Sequence, residues 1–511
     1  MTYGVSVSAA KAENWTGASL GGYLPGQNAG QDDDPSQPIG AYFAMLPAWQ
    51  TMRAVLEGNQ YLKQISRDYI PALPNESDEC YQRRLSQSLF SPYTSRVVDA
   101  AIGLILRKPI TLEGGNEAFW EDFTADVDRQ GTDLMEFTRK LLRHSIGYGH
   151  SSLIVDYPKA QGIRTLADER NAKLMPYFTA VEPWQVIGWR NDTEKSGSRL
   201  EQIRIRELTT RPRGEFGEEV VEMIRVLEPG KYRLFERTGS DARWVEVESG
   251  RTSLDQIPLV TTYSDKEGVL VSKPPLLDVG YINLAHYRLQ SQHINALSVA
   301  GFPILQLKGW DSQDQNIQID VSKALAFGSD AGAGASYVEP SNAAFSAYET
   351  ELEALAQQMS NLGISILAQQ KNMAESGLSK ALDRADTNSM LATISQDVES
   401  TLQKAFDLAA EYAGQEPPIV GLSRDFDTQT MDSQGITAIN TLFTSGLIDQ
   451  ETALSLLHQG EILADDVDIE EILSRAEIEQ EASMERDMAR LEGEVKIAQA
   501  TEPNPDESEA S

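Results

Sequence analysis

Residues 378–413 contain neither glycine nor proline, and their apolar side chains recur at helical spacing. At a rise of 1.5 Å per residue, a helix over this stretch is roughly 54 Å long, several times the average for a globular protein. Gly414 follows where a helix C-cap is expected. The apolar stripe consists of Leu378, Leu382, Ala385, Ile394, Val398, Leu402, Ala405, Ala409 and Tyr412. A helix of this length indicates a large architecture.

A second helix is predicted just before it, over residues 348–367. Ser346 and Glu349 have the spacing of a capping box, so we expect the helix to begin there. The stretch between the two helices, residues 368–377, is polar and has no apolar periodicity, which predicts a loop. The seam of this second helix is formed by Tyr348, Leu352, Leu355, Met359, Leu362 and Ile366.

The composition is that of an ordinary soluble globular protein. The 511 residues are 41% apolar and 24% charged, which is enough for several packed units. There is no apolar run of membrane-spanning length, and the N-terminus lacks the pattern of a secretory signal. Cys80 is the single cysteine, so no intramolecular disulfide can form and a reducing compartment is expected.

The net charge of −33 limits the ways in which this chain can meet nucleic acid. Proteins that grip DNA neutralise its phosphates with lysine and arginine, and a general surface of this charge cannot do so. An acidic wall that repels the duplex remains compatible with a protein through which DNA passes without adhering.

In chain order, residues 1–38 are predicted to be a loose arm because glycine, serine, asparagine and aspartate dominate them. Helices are predicted near residues 42–56, 97–106 and 134–146. From residue 151 to residue 264 the apolar period changes to two, and turn signals such as Pro229–Gly230 separate short alternating runs. We therefore expect an antiparallel meander there.

The helix predicted at residues 276–299 carries polar side chains on several faces. A monomer core would not accommodate such a cluster on all sides, whereas a solvated lumen or a subunit contact would. The polar side chains in question are Gln290, Ser291, Gln292, His293 and Asn295.

Short strands are expected at residues 302–307 and 336–339. Helices are expected at residues 434–444, at residues 450–458 with Asp449 as N-cap, and at about 472–495.

A search for catalytic motifs yields weak matches only. Gly149-His150-Ser151 resembles the start of a nucleophile elbow, but Leu153 stands where the second glycine is required, so a helix-to-strand turn is favoured. Gly332-Ala-Gly334 lacks the third glycine of a dinucleotide fingerprint, and there is no Walker A motif. His286 and His293 share one helical face without a third ligand nearby. No catalytic residue, cofactor or metal site is therefore predicted.

The order of these parts resembles a tailed-bacteriophage portal protein, the ring that connects head and tail. In that family an α/β wing precedes a stem helix, a small clip, a second stem helix, a tunnel loop, a long wing helix and a helical crown. The segments that carry the resemblance are PPLLDVGYINLAHYRLQSQHINAL (274–297) with GFPILQL (301–307), SAYETELEALAQQMSNLGISIL (346–367), AQQKNMAESG (368–377), SKALDRADTNSMLATISQDVESTLQKAFDLAAEYAG (379–414) and ITAINTLFTSGLIDQETALSLLHQGEILADDVDIEEILSRAE (436–477).

The resemblance implies an α+β, portal-like fold with the following divisions. They are a flexible arm (1–38), the wing (39–272), the first stem helix (273–300), the clip (301–345), the second stem helix (346–367), the tunnel loop (368–377), the long wing helix with its following loop (378–430), crown-like helices (431–500) and a disordered acidic tail (501–511).

The resemblance also implies a non-enzymatic function and a set of partners. Portals form rings, usually of twelve subunits, at one capsid vertex of the virion after assembly in the host cytoplasm. Double-stranded DNA passes through the ring without sequence specificity during packaging and ejection. The terminase large subunit, head–tail adaptor, major capsid and scaffold proteins are the expected partners, and no membrane is involved.

Particular residues follow from the same resemblance. The expected DNA-facing tunnel-loop residues are Gln369, Gln370, Lys371, Asn372, Met373 and Glu375; the expected partner-binding clip residues are Trp310, Asp330, Tyr337 and Glu339; the stem-lumen candidates are Gln290, Gln292 and His293.

Two alternatives stay open from the sequence. One is another oligomeric virion assembly protein, an adaptor or a scaffold-like protein, although adaptors tend to be much shorter. The other is a carboxylate-dependent hydrolase, because acidic residues are too numerous for any pair to be singled out or dismissed.

Overall fold

The computed structural model describes most of the chain between residues 34 and 459, in two compact units, Met1–Phe426 and Asp427–Ser511. The predicted arm at 1–38 falls within the described residues only from Asp34 onwards, and the predicted tail at 501–511 lies outside them. The described residues are 34–158, 174–192, 199–238, 243–300, 304–308, 334–338, 342–367, 377–424, 426, 433–459, 462, 472–475, 478 and 486.

The helices of the described residues are numbered in chain order. They are α1 (Gly40–Glu57), α2 (Asn59–Gln64), α3 (Ser66–Tyr69), α4 (Asp78–Gln87), α5 (Tyr93–Ile105), α6 (Glu117–Ala125), α7 (Leu134–Tyr148), α8 (Leu277–Ala300), α9 (Asn342–Leu367), α10 (Gly377–Ala413), α11 (Ser433–Thr444) and α12 (Gln450–Gln459).

The strands pair entirely in antiparallel fashion within the described residues. They are β1 (Thr111–Glu113), β2 (His150–Asp156), β3 (Tyr177–Val181), β4 (Val186–Asp192), β5 (Arg199–Arg213), β6 (Gly217–Glu228), β7 (Lys231–Thr238), β8 (Arg243–Arg251), β9 (Leu259–Tyr263), β10 (Lys266–Gly268), β11 (Val271–Ser272), β12 (Ile304–Lys308), β13 (Gly334–Val338) and β14 (Ile419–Gly421).

The fold is therefore a mixture of helices and sheets. A five-stranded sheet has the order β4-β5-β6-β7-β8, which is the predicted meander. The turn signal at Pro229–Gly230 is confirmed, because Gly230 adopts a positive φ of 73° between β6 and β7. The alternation of apolar and polar residues along the strands predicts this sheet well. The part of the sheet nearest the core packs against it, and the part furthest from the core is exposed to solvent.

One part of the meander prediction is wrong. Leu153 and Val155 lie in a separate three-stranded sheet of order β3-β2-β9, whose third strand comes about a hundred residues after its central one. The central strand β2 is buried along almost its whole length. A strand covered on both faces loses the alternation that marks a meander, and its partner β9 is distant in sequence.

The Gly149-His150-Ser151 motif is a helix-to-strand turn, as favoured by the sequence. Gly149 caps α7 in the left-handed conformation, with φ 96°, and β2 begins at the next residue. His150 Nδ1 lies 2.7 Å from Ser272 Oγ, and burial lowers the pKa of His150 to about 4. Ser151 Oγ is buried without a hydrogen-bond partner among the described residues, so no base there activates it.

The C-terminal half of α10 is part of the main core of the first unit. The ring of Phe406 packs edge-on against Trp120 and Phe123 of α6 and Phe178 of β3, with ring centroids 5.4 to 5.7 Å apart. The predicted C-cap Gly414 is confirmed by its φ of 62°. The buried stripe consists of Leu391, Ile394, Val398, Leu402, Ala405, Phe406 and Ala409.

Polar side chains of α10 hold the edges of two sheets. Asp397 Oδ2 accepts hydrogen bonds from Tyr263 N at 2.6 Å and Thr262 Oγ1 at 3.2 Å, at the end of β9. On the other side, Gln403 Oε1 accepts from Val420 N at 2.8 Å and Glu399 Oε2 from Leu422 N at 3.1 Å, along β14. Because these bonds satisfy backbone groups at strand ends, they fix the position of the helix along its axis.

The helix boundaries contain one correction and several additions. Helix α9 begins at Asn342, so Ser346 lies inside the helix, where its carbonyl accepts a hydrogen bond from Thr350 Oγ1, and the capping box predicted there is wrong. Helices α4 and α6 were not predicted, although Ser77 caps α4 through a 3.2 Å bond from Cys80 N. Their apolar positions are too few to give a recognisable stripe.

The second unit contains the predicted helices α11 and α12. Asp449 is confirmed as the N-cap of α12, because its Oδ1 accepts from Thr452 N at 2.9 Å. Of the helix predicted at 472–495, residues 472–475, 478 and 486 are described, and they are helical. In the part of the chain that is described, no helix has the length and hydropathy needed to cross a membrane.

The contact between α10 and β9 is testable by mutation. Asp397→Ala leaves the buried Tyr263 N–H without its acceptor, so we expect the free energy of unfolding to fall by about 1–3 kcal/mol. Urea denaturation followed by tryptophan fluorescence measures this change. Glu411→Ala, at an exposed position of the same helix, is the matched control and is expected to change stability by less than about 0.5 kcal/mol. Equal effects of the two variants would contradict the anchoring role of Asp397.

Candidate functional site: the α8–α9 helix pair

Helix α8 is the first element of the part of the first unit that resembles a portal stem and clip. It begins after Pro274, whose carbonyl accepts from Leu277 N at 3.2 Å, and it packs against α1, α4, α5 and α9. After α8, strands β12 and β13 pair over five residues each, and α9 then returns to pack on α8. The order helix, strand pair, helix is therefore present in the described residues.

Polar residues on the first half of α8 bind the loops around α4 and α5. Asn283 Nδ2 donates to Ser91 O at 2.9 Å, while its Oδ1 accepts from Thr94 N at 3.2 Å and from Thr94 Oγ1 at 3.1 Å. Arg288 Nε donates to Tyr69 O at 2.7 Å. These contacts explain why α8 is polar on faces that pack against the rest of the first unit.

Ser291 belongs to a buried ionic network. Its Oγ accepts from Arg84 Nη1 at 3.1 Å and from Ser88 Oγ at 2.7 Å. Arg84 also forms a two-pronged pair with Glu76, Nε to Oε1 at 2.8 Å and Nη2 to Oε2 at 2.7 Å, and donates to Pro71 O at 3.0 Å. The side chains of Arg84 and Glu76 are 1% and 6% exposed, so this pair holds α8 on α4 from inside the protein.

The charge state of this pair sets its dependence on pH. The hydrogen bonds from Arg84 hold the pKa of Glu76 below its ordinary value of 4.5. A lowered folded-state pKa stabilises the fold above the unfolded-state pKa, and the stabilisation is lost as pH falls through the folded-state pKa. The network is therefore intact at neutral pH.

Removing one partner of this pair is expected to lower the free energy of unfolding strongly. Arg84→Met leaves the Glu76 carboxylate buried and unpaired, so we expect a loss of about 3–5 kcal/mol in the free energy of unfolding. Urea denaturation at neutral pH measures it. Arg67→Met is the control, because the Arg67–Asp78 pair has side chains that are 72% and 89% exposed, and we expect a change of at most about 1 kcal/mol there. A small effect at Arg84 would mean that the network does not hold α8 in place.

A second polar row on α8 has atoms without partners. His286, Gln290 and His293 recur at helical spacing on one face. His286 Nδ1, Gln290 Oε1 and His293 Nε2 are buried and have no hydrogen-bond partner within the described part of the chain. The His286 ring meets Tyr93 edge-on at 5.5 Å, and burial lowers the pKa of His286. The His293 ring stacks on Tyr348 of α9 at 5.5 Å, with 15° between the planes.

The outward face of α9 has a different chemistry. Glu349, Glu351 and Glu353 are exposed near the start of the helix, and Gln357, Gln358 and Asn361 are exposed further along it. Opposite them, Met359 is buried against the rest of the first unit. Helix α9 therefore presents acidic and then amide groups to the solvent, and the described residues contain no positive charge on this face.

The structure describes the predicted site residues to different degrees. Gln290, Gln292 and His293 are half-buried on α8, and the ring of His293 contacts α9. Tyr337 lies in β13, paired with Leu305. The clip residues Trp310, Asp330 and Glu339 and the tunnel-loop residues Gln369, Gln370, Lys371, Asn372, Met373 and Glu375 lie outside the described residues. The clip and tunnel-loop assignments stay predictions.

Sequence reasoning did not find the Arg84 network or the role of Ser291. The sequence places Arg84 in a polar stretch with no apolar stripe, and Ser291 is 207 residues further along the chain. The polar faces of α8 were correctly noticed, but for Asn283, Arg288 and Ser291 the partners are in this same chain. The described residues, His286 and His293 among them, contain no group of three or more His, Cys, Asp or Glu side chains placed to bind a metal ion.

Comparison with known proteins adds a family match of limited extent. Residues 275–413 match a family model described as a domain of unknown function (DUF4055). The matched span contains α8, the β12–β13 pair, α9 and α10. No curated protein matches this chain.

Three solved structures with similar chains come from gene transfer agent (GTA) particles. A chain from the neck of the native GTA particle, computed with C12 symmetry, is 12% identical, with 75% of this chain and 93% of that chain covered and a TM-score of 0.40. A chain from the virion of the native particle is 11% identical, with 79% and 99% covered and a TM-score of 0.40. A chain from the neck of the empty particle, computed with C6 symmetry, is 12% identical, with 75% and 94% covered and a TM-score of 0.39. None of these similarities assigns a function to the present chain.

Proposed function

We propose that this chain is the portal subunit of a tailed-phage-like particle. In this proposal, copies of the chain form a ring of about twelve subunits with cyclic symmetry at one capsid vertex. Double-stranded DNA is packaged and ejected through the ring, the ATP-hydrolysing terminase and the head–tail adaptor dock on it, and capsid and scaffold proteins surround it. The chain itself performs no catalysis.

The observation that carries the proposal is the order of elements from α8 to α10. Helix α8 leads into the paired strands β12 and β13, α9 returns along α8, and the long helix α10 then enters the core of the first unit. In the portal family the corresponding parts are the first stem helix, the clip, the second stem helix and the long wing helix. The assignment of residues 301–345 to a partner-binding clip and of residues 368–377 to a tunnel loop belongs to the proposal.

The charge of the outward face of α9 supports passage of DNA without adhesion. B-DNA carries one negative charge for about every 1.7 Å of its axis, so a wall rich in lysine or arginine would hold it. Glu349, Glu351 and Glu353 are exposed there, and the whole chain has a net charge of −33. A surface of this kind lowers the friction on a moving duplex.

The ring is the first prediction of the proposal. Negative-stain electron microscopy of the purified protein is expected to show rings with a central hole, and light scattering is expected to give the mass of about twelve subunits of 56.4 kDa. Assembly is tested alone and with capsid and scaffold proteins of the same particle, because the ring can require them. A monomer under both conditions would contradict the proposal and favour a hydrolase, whereas an open filament or a small oligomer would favour another assembly protein.

The second prediction concerns the acidic residues on the outward face of α9. Replacing Glu349, Glu351 and Glu353 together by lysine is expected to make the assembled protein retain double-stranded DNA at about 50 mM salt and release it by about 200 mM salt. Electrophoretic mobility of a short duplex measures the retention, and the wild-type protein is expected to show none. The matched control replaces the same residues by glutamine, which removes negative charge without adding positive charge. Lysine variants that behave like the control would mean that this face does not lie where DNA passes.

A further inference from the structure

The outer end of the five-stranded sheet projects as a hairpin with few contacts to the rest of the chain. Strand β5 pairs with β4 only as far as Ile205, and β6 pairs with β7 only from Met223 onwards. Leu208 to Glu222 therefore form a two-stranded hairpin arm in which, within the described residues, each strand has one neighbour. We call these residues the hairpin arm. Two-stranded hairpins are marginally stable alone in water, so a partner is expected.

The tip of the hairpin arm combines an exposed aromatic ring with charges of both signs, because residues 211–220 contain two Arg and three Glu residues. Every residue from 211 to 220 is exposed, and Phe216, in the loop between the strands, is 90% exposed. Arg213 comes just before this loop, where its backbone pairs with Gly217. Its side chain has no hydrogen bond or ion pair to another described residue, whereas the side chain of Arg211 is already paired with Glu236 at 2.7 Å. An exposed aromatic ring beside an unpaired arginine has the composition of an interface anchor.

The surface that would receive the tip of another copy lies at an edge of the same sheet. Strand β8 is the last in the sheet order, so one of its edges has no strand beside it within the described residues. Val245 and Val247 are 49% and 46% exposed there, and Glu246, which comes between them in the sequence, is also exposed. Val247 lies at a bulge opposite Leu234 and Phe235. We call residues 245–247 the β8 edge.

The tip cannot reach the β8 edge of its own chain. Val245 is in register with Glu236, Glu236 with Met223, and Met223 with Glu207. The tip lies about eight residues beyond Glu207 along β5, which is roughly 26 Å at 3.3 Å per residue. A head-to-tail contact between copies needs two different patches that fit each other. The two patches must lie on one chain without being able to meet within it.

The charge of this region favours a second copy over an acidic or a basic partner. Residues 186–251 contain as many Lys and Arg as Asp and Glu residues, although the chain as a whole has a net charge of −33. The rest of the chain, which carries the negative charge, therefore repels another copy of the chain, whereas the sheet does not. The side chains of Arg213 and Glu246 supply one pair of opposite charges across the proposed contact.

We propose that the tip of the hairpin arm of one subunit docks on the β8 edge of the next copy of this chain, with Phe216 against Val245 and Val247 and Arg213 beside Glu246. The inference rests on the proposed ring, because a head-to-tail contact repeated around a cyclic axis closes into one. An arm about 20 Å long buries much less than a standard interface of roughly 1,600 Å². The contact is therefore only a small part of the interface between neighbouring subunits, and we call it the latch.

The single native cysteine makes the contact testable by disulfide trapping. In a Cys80→Ser background, Phe216→Cys and Val245→Cys are introduced together into the full-length chain, and the protein is oxidised and run on a non-reducing denaturing gel. A ladder of covalent multimers extending beyond the dimer is expected. Each single-cysteine variant in the same background is the control and is expected to remain monomeric on the gel. Dimers from Phe216→Cys alone would show tip-to-tip contact and would overturn the proposal.

Micrographs of the same samples separate this inference from the proposed function. Rings without a ladder would overturn the latch and leave the ring standing. A ladder from open chains without rings would support the latch and overturn the ring, and a monomer without crosslinks would overturn both. Charge reversal gives a second readout: Arg213→Glu or Glu246→Arg alone is expected to lower the crosslink yield severalfold, and the two together are expected to restore it. Failure of the double variant to recover would exclude the pairing of these two residues.

Discussion

The placement of helix α10 is the constraint on which the rest of the first unit depends. Its apolar stripe closes the main core, with Phe406 against three aromatic rings of α6 and β3. Apolar packing alone would allow the helix to slide or rotate. The bonds from Asp397 to β9 and from Glu399 and Gln403 to the region of β14 remove this freedom, because each satisfies a backbone N–H at one position. The position of α10 in turn constrains α9, which packs against it.

Helix α8 is fixed by a different kind of contact. Besides its buried Val279, Leu284 and Tyr287, it is held by three polar side chains. Asn283, Arg288 and Ser291 bind backbone groups and the buried Arg84–Glu76 pair. Directional contacts of this kind fix the helix in one position against the rest of the first unit.

The sequence predicted those features that depend on local periodicity. The stripe of α10, the meander from β5 to β7 with its Pro229–Gly230 turn, and the Asp449 cap all follow from spacing within one element. Features that depend on distant partners were missed or misread. The polar residues of α8 predict lumen or subunit positions, but Ser291 binds Arg84, 207 residues away. Strand β2 was assigned to the meander because nothing in its own residues shows that β9 is its neighbour. The start of α9 at Asn342 was missed because the capping pattern at Ser346 and Glu349 was stronger than any signal before it.

The short pairing of β1 with β14 has a consequence for how the protein is made. Thr111 is in register with Gly421, and Trp120 Nε1 donates to Glu416 O at 2.9 Å, so the N-terminal helices are completed by residues about 300 positions later. Contacts of such sequence separation form slowly, since the chain between them must be ordered first. On the ribosome, residues 40–181 would emerge long before α10 and β14, with Trp120, Phe123 and Phe178 still uncovered. Newly made chains therefore spend much of their synthesis with an exposed aromatic surface, and chaperone binding during translation would protect them from aggregation.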